Sequence, residues 1–572
     1  LDSINLQNRS ELVYLFFEDI EKRHIKYGNS PKILEPNIKF SAGGLRDLQV
    51  VEWIYSIKEK TLLTNQSEIT QTESFMHLLK ENSLITPREF HKVLDSYKLI
   101  LNVRNLLHLL NNRKSDRLEF FSQEEIASTL GYSRTSWQEF MSKYFQCATA
   151  VHRFSNTMIR MFEEQITHPL SDYLSIKLDD DFTYKGGSIS VNKNSELSIS
   201  EILRAFYYRG LYKARFDENL RTLSIESLVQ LQEVDESEQE SSVFFREILK
   251  LPSNVAETLN AMNELGALGA FLPEFKELVG FFQPGVYHCY TADEHTILAI
   301  KNLENLRNEN SVKGRIFSGL KEKDILFLAV LLHDIAKPIS VSGHEIIGAE
   351  VAYTILERLV YSSEEIDLIK FLVRHHLTME QTAFRRNLND PATLDNFISI
   401  FPSLKYLDML YLITYGDLSA VSPIVWNNWK SDLLLELYQK ARLMIEEKVS
   451  GEEYLYANTL EVIKQSDERI DENMIEHIES INDLGYVQHY SQDEINQHIE
   501  EIEKGSNVSI FFKEDSAFSN ITVITKDSPS LLSRLCGAIS INDLNIHDAR
   551  IFTRKDGVVI DSFNVTDFRS HE

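Results

Sequence analysis

Six of the 17 histidines, His288, His295, His333, His344, His375 and His376, fall between positions 288 and 376, and their neighbours give that clustering a chemical meaning. His333 and Asp334 close the apolar run ILFLAVLLHD, so a buried helix ends in an imidazole beside a carboxylate. Removing both from water is costly unless each finds a partner, and a divalent cation serves both at once; a satisfied structural hydrogen bond is the alternative. Lys337, one turn beyond His333, adds a cation suited to a phosphate oxyanion. His295 opens an amphipathic stretch on its apolar side. Asp417 lies in YLDMLYLITYGDLSAVSP, where the apolar period turns it inward and a counter-charge or metal is required. His295, His333, Asp334 and Asp417 thus offer two imidazoles and two carboxylates from three helices. That nitrogen and oxygen donor set suits Zn, Mn, Fe or Mg and leaves room for water. His344 and the pair His375 and His376 are candidates for a second metal or for phosphate contact, and His288 for the pocket lining. Arg385 and Arg386 suit either a substrate phosphate or a surface ion pair.

The elements that must position these groups are helices. Residues 1–170 read as a helical bundle, with apolar residues at three- and four-residue spacing over Glu11–Arg23, Leu45–Lys60, Pro87–Asn111, Gln123–Leu130 and Ser136–Phe162. A connecting segment, 171–242, breaks the pattern between Asp179 and Ser198, regains it at Ile199–Tyr212, and ends in an acidic run. The second helical block, 243–445, holds the histidines, and 446–515 reads as an acidic helical connector. In 516–572, the β-branched segments Ile521–Thr525 and Ile546–Thr553 and the alternating Val558–Val565 surround a helix at Pro529–Ile541. The order β-α-β-β is a ferredoxin-like α+β unit cut short, with one sheet edge expected to lie open. The fold class is mainly α.

The composition narrows the functional classes. The 572 residues carry 59 basic and 86 acidic side chains, a net charge of −27, which disfavours nucleic acid and anionic membranes as partners. Gly (21) and Pro (12) are sparse, as expected where helices dominate. The longest apolar run, Ile325–Leu332, is far short of the ~20 residues of a membrane span. Cys147, Cys289 and Cys536 are isolated, which excludes a disulfide framework and fits a reducing cytoplasm. A chain opening at Leu1 without a signal-peptide pattern is expected to be a fragment.

His…His-Asp…Asp, with a Lys three residues after the first Asp, resembles the HD phosphohydrolase superfamily. The phrases YHCYTADEHT, LLHDIAK, VRHHLTMEQTAFRRNLNDP and GDLSAVSPIVWNNWK resemble the bifunctional uridylyltransferase/uridylyl-removing enzymes that act on the nitrogen-regulatory protein PII. LEPNIKFSAGGLRDLQVVEWI, at Leu34–Ile54, resembles the helical segment behind that family's nucleotidyltransferase head. ITVITKDSPSLLSRLCGAISINDLNIHDARIFTRKDG, at Ile521–Gly557, resembles its first ACT domain. The resemblance implies an all-α HD domain with a divalent metal at His295, His333, Asp334 and Asp417, and catalytic roles for Lys337, His344, His375 and His376. It further implies UMP removal from uridylylated PII, glutamine as effector, and Mg for the transferase activity of the parent protein. Asp527 and Ser528, with Pro529 in a strand-to-helix turn, and Asn545 and Asp548 on the next strand are then the ACT ligand contacts.

Departures from the family pattern set further expectations. The Gly-Ser turn followed by Asp-x-Asp that serves nucleotidyl transfer is absent; Asp179–Asp181 and Gly186–Ser188 come in the reverse order and read as loop chemistry, so the transferase head is expected upstream of Leu1. The spacer PISVSG before His344 is one residue longer than the family's and poor in glycine, and a second ACT copy is missing. Arg46 and Asp47, in GGLRD after a double-glycine turn, are expected to fix a helix start through an ion pair and the backbone fold, with nucleotide-side contact as the alternative. Rival readings are a phosphodiesterase of free nucleotides and a non-catalytic regulatory module.

Overall fold

The computed structural model describes residues 6–59, 70–82, 84–133, 137–164, 175–193, 195–230, 238–282, 289–421, 426–451, 454, 472–481, 486, 489–514 and 519–567. His288 lies outside them. The chain divides into two units, one of residues 1–380 and 405–434, the other of 381–404 and 435–572.

The first unit begins with the helices Leu6–Tyr27, Leu45–Glu59, Gln71–Glu81, Pro87–Asn111, Phe120–Thr129 and Trp137–Glu164. Their ends follow from local chemistry. Thr70 and Glu73 form a reciprocal capping box, and Pro87 occupies a first-turn position behind the N-cap Thr86. Their apolar stripes share one core, in which Leu48, Val51 and Ile54 join Phe140, Phe145 and Phe154.

Where the sequence pattern breaks, the structure forms a small sheet, with strands β1 (Ser175–Lys177), β2 (Phe182–Lys185), β3 (Ser188–Val191) and β4 (Arg215–Phe216) in that order. Strands of two to four residues are too short to show an alternation. Gly186 and Gly187, at φ 56° and 79°, supply the left-handed pair that closes the β2–β3 hairpin. Asp179 Oδ1 accepts hydrogen bonds from Asp181 N (2.8 Å) and Phe182 N (2.7 Å), so this carboxylate shapes the turn into β2.

Five helices frame the histidines: Ala292–Asn305, Lys323–Leu332, His344–Arg358, Ser363–His375 and Leu404–Val421. Lys323–Leu332 is buried from Asp324 to its end, as its continuous apolar run requires. Gly343, at φ 74°, turns the chain into His344. Gly416 lets Leu404–Val421 approach Ala292–Asn305 closely, for a Cβ there would stand 3.2 Å from Leu303 Cγ and 3.4 Å from the Ala299 carbonyl oxygen. That approach carries Asp417 to His295.

In the second unit, β5 (Val508–Glu514), β6 (Ser519–Lys526), β7 (Leu544–Thr553) and β8 (Val558–Asp567) form an antiparallel sheet ordered β5-β6-β8-β7. One face packs on the helices Glu472–Ile481 and Gln492–Glu503 through Met474, Ile478, Tyr486, Ile524, Phe552 and Ile560. The helix Leu531–Ile541 follows β6. Two expectations change here. Residues 508–514 lie in the stretch read as a helical connector, yet they form a strand, rich in β-formers, that turns Phe511 toward the packed face of the sheet and leaves Val508, Ile510 and Phe512 exposed. That strand also pairs along the whole of β6, so the edge expected to be open is occupied from the N-terminal side. Among the described residues, no helix is long and apolar enough to cross a membrane.

Candidate metal centre

His333 follows the helix Lys323–Leu332 as its C-cap and is wholly buried, with Asp334 1% exposed. His333 Nε2 lies 3.2 Å from Asp334 Oδ2 and 3.7 Å from Asp417 Oδ1, while His295 Nε2 is 2.8 Å from the same Asp417 oxygen. The four residues singled out from the sequence therefore converge, although 122 positions separate His295 from Asp417. Lys337 Nζ approaches Asp334 Oδ2 at 2.5 Å, yet neither Asp334 oxygen accepts a hydrogen bond of good geometry. Two buried carboxylates face one lysine, and the second positive charge that balances them is either a protonated His333 or a bound cation in its place.

Three imidazoles are set by the backbone in the same way. His333 Nδ1 is 2.7 Å from the Val330 carbonyl, His344 Nδ1 2.8 Å from that of Val341, and His376 Nδ1 2.7 Å from that of Val373. A carbonyl only accepts, so each Nδ1–H donates and Nε2 points inward, with a lone pair wherever the imidazole is neutral. His344 Nε2 and His376 Nε2 then face one another at 3.2 Å, with His344 Nε2 3.3 Å from Asp334 Oδ1. Two buried lone pairs at that distance repel unless a cation lies between them. Donor atoms of His295, His333 and Asp334 form one group that could hold a metal, and those of Asp334, His344 and His376 form another. Asp334 belongs to both. The donor set, its charge and its unsatisfied carboxylate fit divalent cations.

The electrostatics agree with a site built for positive charge. Burial opposes protonation of His333, yet Asp334 and Asp417 raise it to about 10. Burial would likewise raise Asp334 and Asp417, but His333 and Lys337 hold Asp334, and His295 and His333 hold Asp417, well below the usual carboxylate range. Burial, then the charge on His333, pushes His376 down to about 4 and keeps its imidazole neutral. The cluster borders a small, half-open pocket lined by His295, Asp334, Lys337, Ala292 and the aromatic residues Phe281, Phe282 and Tyr290.

Other sequence candidates fall elsewhere. His375 is half-buried, with Nδ1 3.3 Å from Thr378 Oγ1, and belongs to neither metal-ligating group, because consecutive helical residues point about 100° apart. Arg385 and Arg386 are exposed. Asp47 pairs with Arg23 Nη1 at 2.8 Å, not with Arg46, which lies over the Trp53 ring; the helix start is held by Gly43 N donating to Asp47 Oδ2 at 2.7 Å. In the C-terminal sheet, Asp527 and Ser528 follow Lys526, opposite Val558, whereas Asn545 is opposite Thr566. Eight residues of β8 separate these ends, about 27 Å, so one copy does not bring Asp527 and Ser528 together with Asn545 and Asp548. Sequence reasoning missed the half of the pocket supplied by Phe281, Phe282 and Tyr290, where no spacing signal exists.

The family model described as GlnD PII-uridylyltransferase matches residues 17–159, the N-terminal bundle, and the HD domain model matches residues 293–408. A bifunctional uridylyltransferase/uridylyl-removing enzyme of Azospirillum brasilense is 30% identical over 97% of this chain and 61% of its own length. The chain belongs to this family. Enzymes of the same name from Acinetobacter baylyi (28% identical, 96% of this chain, 64% of theirs) and Methylococcus capsulatus (31%, 73% and 47%) are similar too. The chain thus spans about half to two thirds of the length of these uridylyltransferase/uridylyl-removing relatives. The residues that the transferase-named family model matches lie within the segment 1–170.

Proposed function

We propose that this chain is a metal-dependent phosphodiesterase that removes UMP from uridylylated tyrosine on PII. The observation that carries the reading is the convergence of His295, His333, Asp334 and Asp417 with His344 and His376 around a buried carboxylate, Asp334, whose oxygens accept no well-formed hydrogen bond. His295, His333, Asp334 and Asp417 would hold one divalent cation, Mn, Mg, Fe or Zn, and His344 and His376 with Asp334 a second. Such cations supply Lewis acidity that renders water acidic near neutral pH and neutralises phosphoryl charge.

The protein's own groups do the rest. The backbone carbonyls of Val330, Val341 and Val373 hold three imidazoles with Nε2 pointing inward, and His333, whose Nε2 proton Asp334 and Asp417 favour, releases that proton when it serves as a ligand. Lys337, beside the pocket, offsets charge on the phosphoryl oxygens as water adds to phosphorus and the bond to the tyrosine oxygen breaks. The phenolate, with a tyrosine pKa near 10, leaves without a strong general acid. Phe281, Phe282 and Tyr290 provide flat apolar surface for a base or a phenol ring. His375, half-buried beside the cluster, is assigned at most an accessory part in proton exchange with solvent. Glutamine acting through the ACT unit would regulate this hydrolysis, with Asp527, Ser528, Asn545 and Asp548 as its contacts; given their separation in one copy, contacts from two copies are required.

The test is release of UMP from uridylylated PII by the purified chain with Mn²⁺, against a panel of free nucleotides. UMP release from PII supports the reading. Turnover of free nucleotides with none of PII rejects it.

A further inference from the structure

Asp293, two residues before His295, is wholly buried, and four segments converge on its carboxylate. Thr291 Oγ1 donates to Oδ1 at 2.7 Å and Gly280 N at 3.1 Å, while Asn263 Nδ2 donates to Oδ2 at 2.7 Å. The fourth partner is Lys32, whose Nζ forms an ion pair with Oδ2 from 261 positions away, out of the loop after the first bundle helix. Lys32 is itself only 9% exposed. The backbone follows it: Leu34 N donates to the Cys289 carbonyl at 2.9 Å, and Ile33 forms an antiparallel bridge with Tyr290.

The segments tied to Asp293 are those that wall the pocket. Phe281 and Phe282 follow Gly280, and Tyr290 precedes Thr291. Phe282 also belongs to the bundle core, its ring 5.5 Å from that of Trp137 and 5.9 Å from that of Phe145. The Asp293 carboxylate also lies at the first turn of the helix Ala292–Asn305, where negative charge suits the helix dipole, so its orientation and that of the turn are linked. Without Lys32 it would be a buried charge beside Glu294, with no cation among the three remaining partners, Asn263, Gly280 and Thr291.

We propose that Lys32 is a positioning residue of the metal-centre pocket: through Asp293 it fixes the aromatic wall and the helical turn that presents His295. The N-terminal bundle is then a structural part of the hydrolase site. The proposal rests on the reading of that pocket as a metal centre.

Calorimetric titration of the full chain with Mn²⁺ tests it. Lys32→Met is expected to weaken Mn²⁺ binding by about 10-fold, the lower end of what loss of a ligand's direct outer partner costs, because Lys32 acts on His295 only through Asp293, while Lys32→Arg recovers most of the loss. If Lys32→Met does not fold, the double variant Lys32→Met with Asp293→Asn removes both charges and the burial cost, and is expected to fold yet still bind Mn²⁺ weakly. Parent-like Mn²⁺ affinity in either folded variant overturns the proposal. A parent chain that binds Mn²⁺ tightly but releases no UMP rejects the proposed substrate, and the affinities of the variants still decide the role of Lys32.

Discussion

Two buried aspartates, Asp47 in the bundle and Asp334 in the histidine cluster, each lie among histidines from other helices, and in each place the donor atoms are close enough to share a metal. They differ in what already occupies the carboxylate. Asp47 accepts from Arg23 Nη1 (2.8 Å), His24 Nε2 (3.0 Å) and Gly43 N (2.7 Å), so a fixed guanidinium and a backbone amide satisfy it. Asp334 shares His333 with a second carboxylate, Asp417, and the two are balanced by Lys337 and by a proton on His333, which, unlike a guanidinium, can give way to a cation. A cluster of His and Asp is therefore a ligand set or a structural knot according to the charge count and the tautomers, not the residue types.

The comparison can be broken most sharply at its two centres. His333→Ala is expected to lower Mn²⁺ affinity and UMP release together by more than about 100-fold, since it removes a direct ligand and not merely an outer partner. His24→Ala should leave metal content unchanged, as read by elemental analysis. Equal metal loss in both variants would erase the distinction. Asp47→Ala, which strands Arg23, should cost about 3–5 kcal/mol in denaturant unfolding of the bundle without changing Mn²⁺ stoichiometry. The same contrast can be followed by pH. Burial would raise Asp47, but His152, His24 and Arg23 hold its carboxyl well below the usual range, so its contribution is present above about pH 4 and is lost as the pH falls below that.

Within the cluster, the neighbouring pair His375 and His376 sharpens the picture. His376→Ala should remove one of two bound ions in equilibrium dialysis, and His375→Ala neither; the opposite result would mean that the helix is turned by one residue. The smallest effect concerns Asp561 in the C-terminal sheet, 2% exposed, where burial and then Asp527 push the carboxyl up to about 6. A raised acid stabilises the fold below about pH 4 and loses that contribution as the pH rises through about 6, the reverse of Asp47. Asp561→Asn should add about 2 kcal/mol at pH 7 and flatten that pH dependence of unfolding.

These contrasts also mark what a linear chain reveals. The ligands were legible because each sits in a strongly apolar helix, where an imidazole or carboxylate is conspicuous, as in ILFLAVLLHD. A signal for choosing between His375 and His376 was present as well: Ile369, Leu372 and Val373 are buried, and His376, not His375, continues their stripe. Asp47 was misassigned because Arg46 is adjacent in sequence, whereas the true partner, Arg23, is 24 positions away on another helix. The Lys32–Asp293 pair and the aromatic wall depend on segments meeting across two helical blocks, which no periodicity encodes. Strand β5 was hidden for a different reason, since its apolar residues Val508, Ile510, Phe511 and Phe512 follow an acidic helical run and show no strict alternation.

The three imidazoles anchored to the carbonyls of residues 330, 341 and 373 carry a consequence for how this centre tolerates change. Many metalloproteins hold their histidines through a neighbouring acid or amide, which a single codon can delete. Here the bracing comes from main-chain oxygen, present whatever side chain occupies those positions. Drift at Val330, Val341 or Val373 can alter packing but leaves the brace in place, so the geometry of the nitrogens is inherited with the course of the backbone.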